Sequence, residues 1–227
     1  MKKTVNERAS ENSLGYILYT PETITDSTPL IVFLHGAGER GNGQDELDRI
    51  NGNALPKYIS NGAEYPAYVL CPQCAEGFVW NNNVFKLKTL IDEVMNTYKI
   101  KKVAITGISM GGYGTWEMGM CYPGFFSCLA PVCGGGLSWR TYILNNEKIW
   151  AFHGDSDNVV PVNNSIEMVD CTNKHGGNAK LTIYPENGHD AWSDTYSNPE
   201  LYKWFLQHIN NNEFELKDNY DNTGNFG

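Results

Sequence analysis

The chain has no apolar run approaching the ~18 residues of a membrane span, and it is short of positive charge. There are 17 basic residues against 26 acidic ones, a net charge of −9. The first absence argues against a membrane-spanning segment. The second argues against nucleic acid and anionic membrane surfaces as partners, because both are bound mainly through Lys and Arg. Metal and cofactor patterns are missing too. Cys71-Pro72-Gln73-Cys74 is a lone C-x-x-C with no second pair and no histidine pair nearby, so neither zinc nor a redox dithiol is expected. The glycine-rich stretch at 36–43 lacks a following Lys-Ser/Thr and lacks G-x-G-x-x-G spacing, so no nucleotide cofactor is expected. Two early lysines have no apolar core behind them, which is not a signal peptide. Reduced thiols and a cytoplasmic location are the resulting expectation.

What is present is an ordinary globular composition, 41% hydrophobic and 19% charged over 227 residues. Residues 1–13 are polar and are expected to be a flexible N-terminus. A single domain is expected over 14–210, and a partly ordered polar tail over 211–227. Within the domain, the alternating stretch at 14–19, the apolar run at 30–34 and the segments at 67–71, 101–106, 126–132, 148–152 and 180–184 read as strands. Helical periodicity predicts helices over 84–98, 113–121, 162–175 and 199–209, with a short one near 55–59. Alternating strands and helices imply an α/β fold with a mostly parallel sheet covered on both faces. Only a short polar stretch separates Gly134-Gly135-Gly136 from the strand at 148–152, which leaves no room for a large cap domain. Cys71, Cys128 and Cys133 fall in or beside strand-like runs, where cysteine behaves as a small core hydrophobe.

The organising stretch is Val103 to Gly112. An apolar strand ends abruptly in Gly107-Ile108-Ser109-Met110-Gly111, and a helix follows. This is G-x-S-x-G in the context its chemistry requires, a sharp turn that holds a serine hydroxyl clear of the sheet edge. A serine needs a base to remove its proton and a carboxylate to orient that base. Asp157 and His189 follow in the order this architecture uses, each in a loop after a predicted strand. Asp155 is the rival acid, closer to its strand end and better suited to bracing the turn. His35 and His153 each precede a glycine at a strand end and read as structural; His175 and His208 lie near helix ends and read as surface residues. The oxyanion needs two preorganised donors. Met110 N–H is one candidate, and the loop at 36–38 supplies the other, Ala37 N–H first and Gly38 as the alternative. Trp80, Trp192 and Gln73 are candidate substrate-binding residues, with core packing the competing role for the tryptophans. Trp116 and Trp204 read as helix core, Trp150 as strand core.

With these residues assembled, the chain resembles the α/β-hydrolase superfamily over nearly its whole length. It is most similar to small capless carboxylesterases grouped with dienelactone hydrolases, polyhydroxybutyrate depolymerases and feruloyl or acetyl-xylan esterases. The stretches that carry the resemblance are His35-Gly36-Ala37-Gly38-Glu39-Arg40-Gly41, Gly107 to Gly112, His153-Gly154-Asp155-Ser156-Asp157, Val160-Pro161 and Gly188-His189-Asp190-Ala191-Trp192. The resemblance implies a Ser109–His189–Asp157 triad, no cofactor, and a small-molecule or oligosaccharide ester as partner. Two other readings are a peptidase of the same fold and a non-catalytic ligand-binding relative.

Overall fold

A computed structural model describes residues 1–210; the polar tail expected at 211–227 lies outside the described residues. In chain order the strands are β1 (Lys2–Asn6), β2 (Tyr16–Thr20), β3 (Leu30–Leu34), β4 (Tyr68–Pro72), β5 (Val103–Ile108), β6 (Leu129–Val132), β7 (Trp150–Gly154) and β8 (Lys180–Tyr184). The α-helices are α1 (Ala54–Ser60), α2 (Val84–Tyr98), α3 (Met110–Cys121), α4 (Asn163–Lys174), α5 (Ala191–Ser197) and α6 (Pro199–Asn210). All eight strands join one sheet in the order β1-β2-β4-β3-β5-β6-β7-β8. β1 and β2 run antiparallel at one edge, and the strands from β4 through β8 are parallel to one another.

The continuous apolar runs are explained by burial on both faces. In β3, Leu30, Val32 and Leu34 enter one core layer, while Ile31 and Phe33 enter the other. The first layer is completed by α2 and α3, through Leu87, Leu90, Ile91 and Trp116. The second is completed by α1, α5 and α6, through Leu55, Tyr196, Leu201 and Phe205. Each fully buried Leu, Ile or Phe contributes about 1.5–3 kcal/mol of transfer free energy. Trp116 and Trp204 are buried and Trp150 packs on the strand layer, as their periodicity predicts. Cys71, Cys128 and Cys133 are buried in the second layer, and burial raises all three thiols, Cys133 to about 12. No helix among the described residues is long and apolar enough to cross a membrane.

The N-terminus differs from its sequence reading. Residues 1–13 are not simply flexible, because Lys2–Asn6 form edge strand β1, paired with β2 from Lys2↔Thr20 to Asn6↔Tyr16. Backbone hydrogen bonding to an open sheet edge needs no apolar periodicity, so a polar strand leaves little trace in the sequence. Lysines on an outer edge also discourage further strand pairing. Helix α5 was likewise not expected. It is held by Tyr196, whose hydroxyl sits 2.7 Å from Thr106 Oγ1 on β5, and this fixes the segment that immediately follows residue 189. Between β6 and β7 lies only a 3-10 segment, Ser138–Leu144, in place of a cap domain.

Candidate active site

Ser109 sits between β5 and α3 with φ 51° and ψ −116°, a conformation that costs a non-glycine residue of order 1–3 kcal/mol. The flanking glycines make that turn possible by allowing backbone contact. A Cβ on Gly111 would lie 1.9 Å from Leu34 O, and one on Gly107 would lie 2.5 Å from Gly111 O. Ser109 N–H donates to Val132 O at 2.9 Å, which ties the turn to β6. Met110 is the first residue of α3, and the opening N–H groups of a helix have no carbonyl within it to bond.

The histidine expected as base and the acid expected to orient it meet the serine at the carboxyl edge of the parallel strands. His189 Nε2 is 2.9 Å from Ser109 Oγ, and His189 Nδ1 is 2.6 Å from Asp157 Oδ2. Asp157 is buried, and its other oxygen accepts from the N–H groups of Val159 and Val160 at 2.8 and 2.9 Å. Burial alone would push this carboxyl up. The hydrogen bonds from His189, Val160 and Val159 outweigh it and hold the group below the ordinary carboxylate value. A hydroxyl held this way can lose its proton to the imidazole as it attacks, while the carboxylate fixes the tautomer and balances the imidazolium.

Asp157 has a second histidine neighbour. His153 Nε2 lies 2.8 Å from Val160 O and 3.3 Å from Asp157 Oδ2, and its Nδ1 lies 2.7 Å from Ser165 Oγ. Since both groups facing Nε2 are acceptors, that nitrogen carries the proton. Burial lowers the proton affinity of His153, and its Nδ1 faces Ser165 Oγ, which donates to Gly134 O at 3.0 Å. Cys133 lies beside His153 and Asp157, their ligand atoms all within 4.8 Å. Hydrogen bonds already occupy both imidazole nitrogens. Asp155 braces the loop instead, accepting from Glu186 N–H and Ser156 Oγ, both at 2.8 Å.

Two of the proposed substrate-binding residues are corrected. The amide of Gln73 is spent on backbone and not free for a ligand: the residue is 2% exposed, donates from Nε2 to Glu39 O and Glu46 O, and accepts from Gly43 N–H. It clamps the loop after β3 to the end of β4. Trp80 is 1% exposed, and its Nε1–H donates to His35 O at 2.9 Å. Its position after a strand loop suggested a pocket wall, but a ring this large is drawn into the core once its N–H finds a carbonyl. Trp192 does reach the site, packing edge-on against His189 at 5.1 Å between centroids. Ala37 and Gly38 open an exposed 3-10 turn, Ala37–Glu39, next to the serine.

Other residues around the serine carried no sequence signal beyond the motif letters. Arg40 donates from Nη2 to Met110 Sδ at 3.0 Å and from Nε to Phe78 O at 2.7 Å. Glu39 is buried and accepts from Asn53 Nδ2 through Oε1, while Oε2 has no partner among the described residues. A Cβ built on Gly36 would lie 3.2 Å from that oxygen and 3.7 Å from Ser109 Cβ, so Glu39 stands close behind the nucleophile.

Comparison with known proteins points the same way as the topology. The model of a family described as phospholipase/carboxylesterase matches residues 20–198. A poly(3-hydroxyalkanoate) depolymerase C from Paucimonas lemoignei is 22% identical over 219 residues, covering 75% of this chain and 51% of its own length. The chain thus spans about half the length of that curated relative. A solved thermostable esterase is 28% identical, with a TM-score of 0.77, over 90% of this chain and 62% of the esterase. An acetyl xylan esterase from Aspergillus awamori shares the fold, with a TM-score of 0.66 at 13% identity, over 89% of this chain and 98% of that one.

Proposed function

Since the chain belongs to the phospholipase/carboxylesterase family, we propose that it is a serine carboxylesterase working through Ser109, His189 and Asp157. The observation that carries this reading is the unbroken hydrogen-bonded line from Ser109 Oγ through both nitrogens of His189 to a buried Asp157 oxygen. In the first half-reaction, Ser109 Oγ bonds to the ester carbonyl carbon while its proton passes to His189 Nε2. The carbonyl oxygen takes the negative charge, and the N–H groups of Met110 and Ala37 receive it. His189 then returns the proton to the alcohol oxygen, the C–O bond breaks, and an acyl-enzyme remains. Water, deprotonated by His189, completes hydrolysis by the same route. No cofactor enters these steps.

The proposed substrates are short-chain or aromatic acyl esters, including acetyl or feruloyl esters of plant-derived oligosaccharides. The esterase and acetyl xylan esterase likenesses support this class, and so does Trp192, an aromatic surface beside the base. Mixing the protein with 4-nitrophenyl acetate should give a pre-steady-state burst, absent in Ser109→Ala, and a fluorophosphonate probe should label Ser109. An intact burst in that variant would refute the assignment. Turnover of aminoacyl anilides matching that of the esters would replace it with the peptidase reading.

A further inference from the structure

The N-terminal segment that the sequence left as a loose tail builds one wall of a cavity at the edge of the sheet that carries Ser109. The cavity measures about 380 Å³, within the range of small-ligand sites. Its walls include Arg8, Glu11, Gly43, Gln73, Phe78 and Lys86. Because β2 is antiparallel to β4, with Tyr16 opposite Pro72, the start of β2 lies at the same end of the sheet as the ends of β3 and β4. That is the end where β5 delivers Ser109. In the order β2-β4-β3-β5 the cavity stands two to three strand spacings from the serine, on the order of 10–15 Å. The link between the two places is Arg40, which bridges Met110 Sδ beside the serine and Phe78 O at the cavity rim.

The wall is built firmly. Arg8 N–H donates to Gly43 O at 2.7 Å, and Gln73 N–H donates to Gly15 O at 2.8 Å. Gly43 N–H is held by Gln73 Oε1 at 2.9 Å. Lys86 on α2 donates to Glu11 O, tying the segment down from the other side. The Arg8 stem lies over Gly43, where a Cβ would meet Arg8 Cβ and Cδ at 3.2 and 3.3 Å. Its guanidinium, carried past that point, has no acceptor among the described residues. In a chain of net charge −9, Arg8 and Lys86 stand in the cavity wall and Arg40 lies between Met110 and Phe78, opposed in the cavity by the exposed Glu11. Phe78, 52% exposed, gives the same cavity an apolar wall.

We propose that this cavity is a remote subsite for the anionic end of an extended ester, with Arg8 pairing a carboxylate on the part of the substrate farthest from the scissile bond. The proposal rests on the esterase reading and narrows its substrate class. A guanidinium with a free face matches a carboxylate bidentately, and Phe78 covers the apolar or sugar-ring part of the same group. Esters too short to span the gap are blind to it.

The test uses matched pairs that differ only in a terminal carboxylate. On the acyl side the pair is mono-4-nitrophenyl sebacate and 4-nitrophenyl decanoate; on the alcohol side it is 10-acetoxydecanoate and decyl acetate. For at least one pair the anionic member should have a kcat/KM about tenfold higher, the size of one charge-assisted contact. The advantage should reside in KM and shrink with added salt. In Arg8→Ala it should fall to parity, and in Arg8→Gln, which keeps the stem over Gly43, it should fall equally. Lys86→Ala should reduce it in part. Turnover of 4-nitrophenyl acetate should stay unchanged in all three variants, which reports an intact fold. Equal or lower rates for both anionic members in the native protein, or an advantage that survives in Arg8→Gln, would overturn the subsite. Persistence of 4-nitrophenyl acetate turnover in Ser109→Ala would instead refute the esterase reading beneath it.

Discussion

His35 and His189 each follow a strand, stand in a glycine-containing loop and come within reach of the serine turn, yet their surroundings give them opposite chemistry. His35 is fully buried, and both its nitrogens are spent on backbone. Its Nδ1–H donates to Gly36 O at 2.6 Å and its Nε2 accepts from Cys74 N–H at 2.9 Å. Burial pushes its pKa down to about 4, against the opposing bond to Gly36, and Arg40 lowers it further. His35 is therefore a neutral brace at working pH, and it orients the loop that carries Ala37. His189, with a side chain 19% exposed, spends one nitrogen on a carboxylate and leaves the other against a hydroxyl. A histidine whose ring is saturated by backbone groups holds structure, and one held between an acid and an alcohol can move a proton.

The contrast can be broken most sharply by removing each ring in turn. His189→Ala should lower kcat by about 10⁴–10⁶, as expected for a member of a unit that acts together, with an unchanged melting temperature. His35→Ala leaves Gly36 O and Cys74 N–H unpaired and opens a cavity. It should cost about 2–4 kcal/mol of stability, with far less effect on kcat of the folded fraction. Parallel calorimetry and steady-state kinetics check both, and a kcat loss in His35→Ala as deep as in His189→Ala would erase the distinction.

Asp157→Asn tests what holds His189 in its role. It should reduce kcat by about 10⁴, following the triad template, because the amide cannot both accept from Nδ1–H and balance the imidazolium. In acid, the native protein should also lose stability as pH falls through the depressed pKa of Asp157, below the ordinary carboxylate range, and this loss should be absent in the Asn variant.

The brace has its own pH signature. In the unfolded chain His35 takes up a proton near pH 6.5, but in the folded state only near pH 4. The unfolded state therefore binds more protons between those values, so the contribution of His35 to folding stability is greatest above pH 6.5. It is lost as pH drops toward 4, by about 3 kcal/mol in total. Urea unfolding across this window should show the slope, and His35→Gln should flatten it. The smallest effect belongs to His153. His153→Phe removes a donor from Asp157 and Val160 and should lower kcat about 10–100-fold, the worth of one hydrogen bond to a charged group. His153→Gln, which keeps an N–H in that direction, should recover most of the rate, and no recovery would reduce His153 to packing.

Much of this arrangement could be read in advance. The strands at 30–34 and 103–108 are buried along their whole length because both faces of the sheet are covered there, and their loops carry the chemistry. The motif at 107–111 is visible because its glycines answer to backbone contacts that admit no Cβ. Gln73 and Trp80 were misjudged for one reason. Position after a strand says that a side chain is near the site, and only packing says whether it points outward or finds a carbonyl partner inside. β1 was missed because strand pairing at a sheet edge satisfies backbone groups that every residue has.

The sequence by itself determined the sheet's covered strands, the strained serine turn and the order of serine, acid and base, since each depends on residue types and spacing along the chain. Tertiary structure alone decided how Asp157 is held, that Gln73 and Trp80 turn inward, and that the segment from Arg8 to Gly15 folds back to line a cavity. These depend on hydrogen bonds and burial between segments far apart in sequence, and no local pattern encodes the partner that a side chain will find.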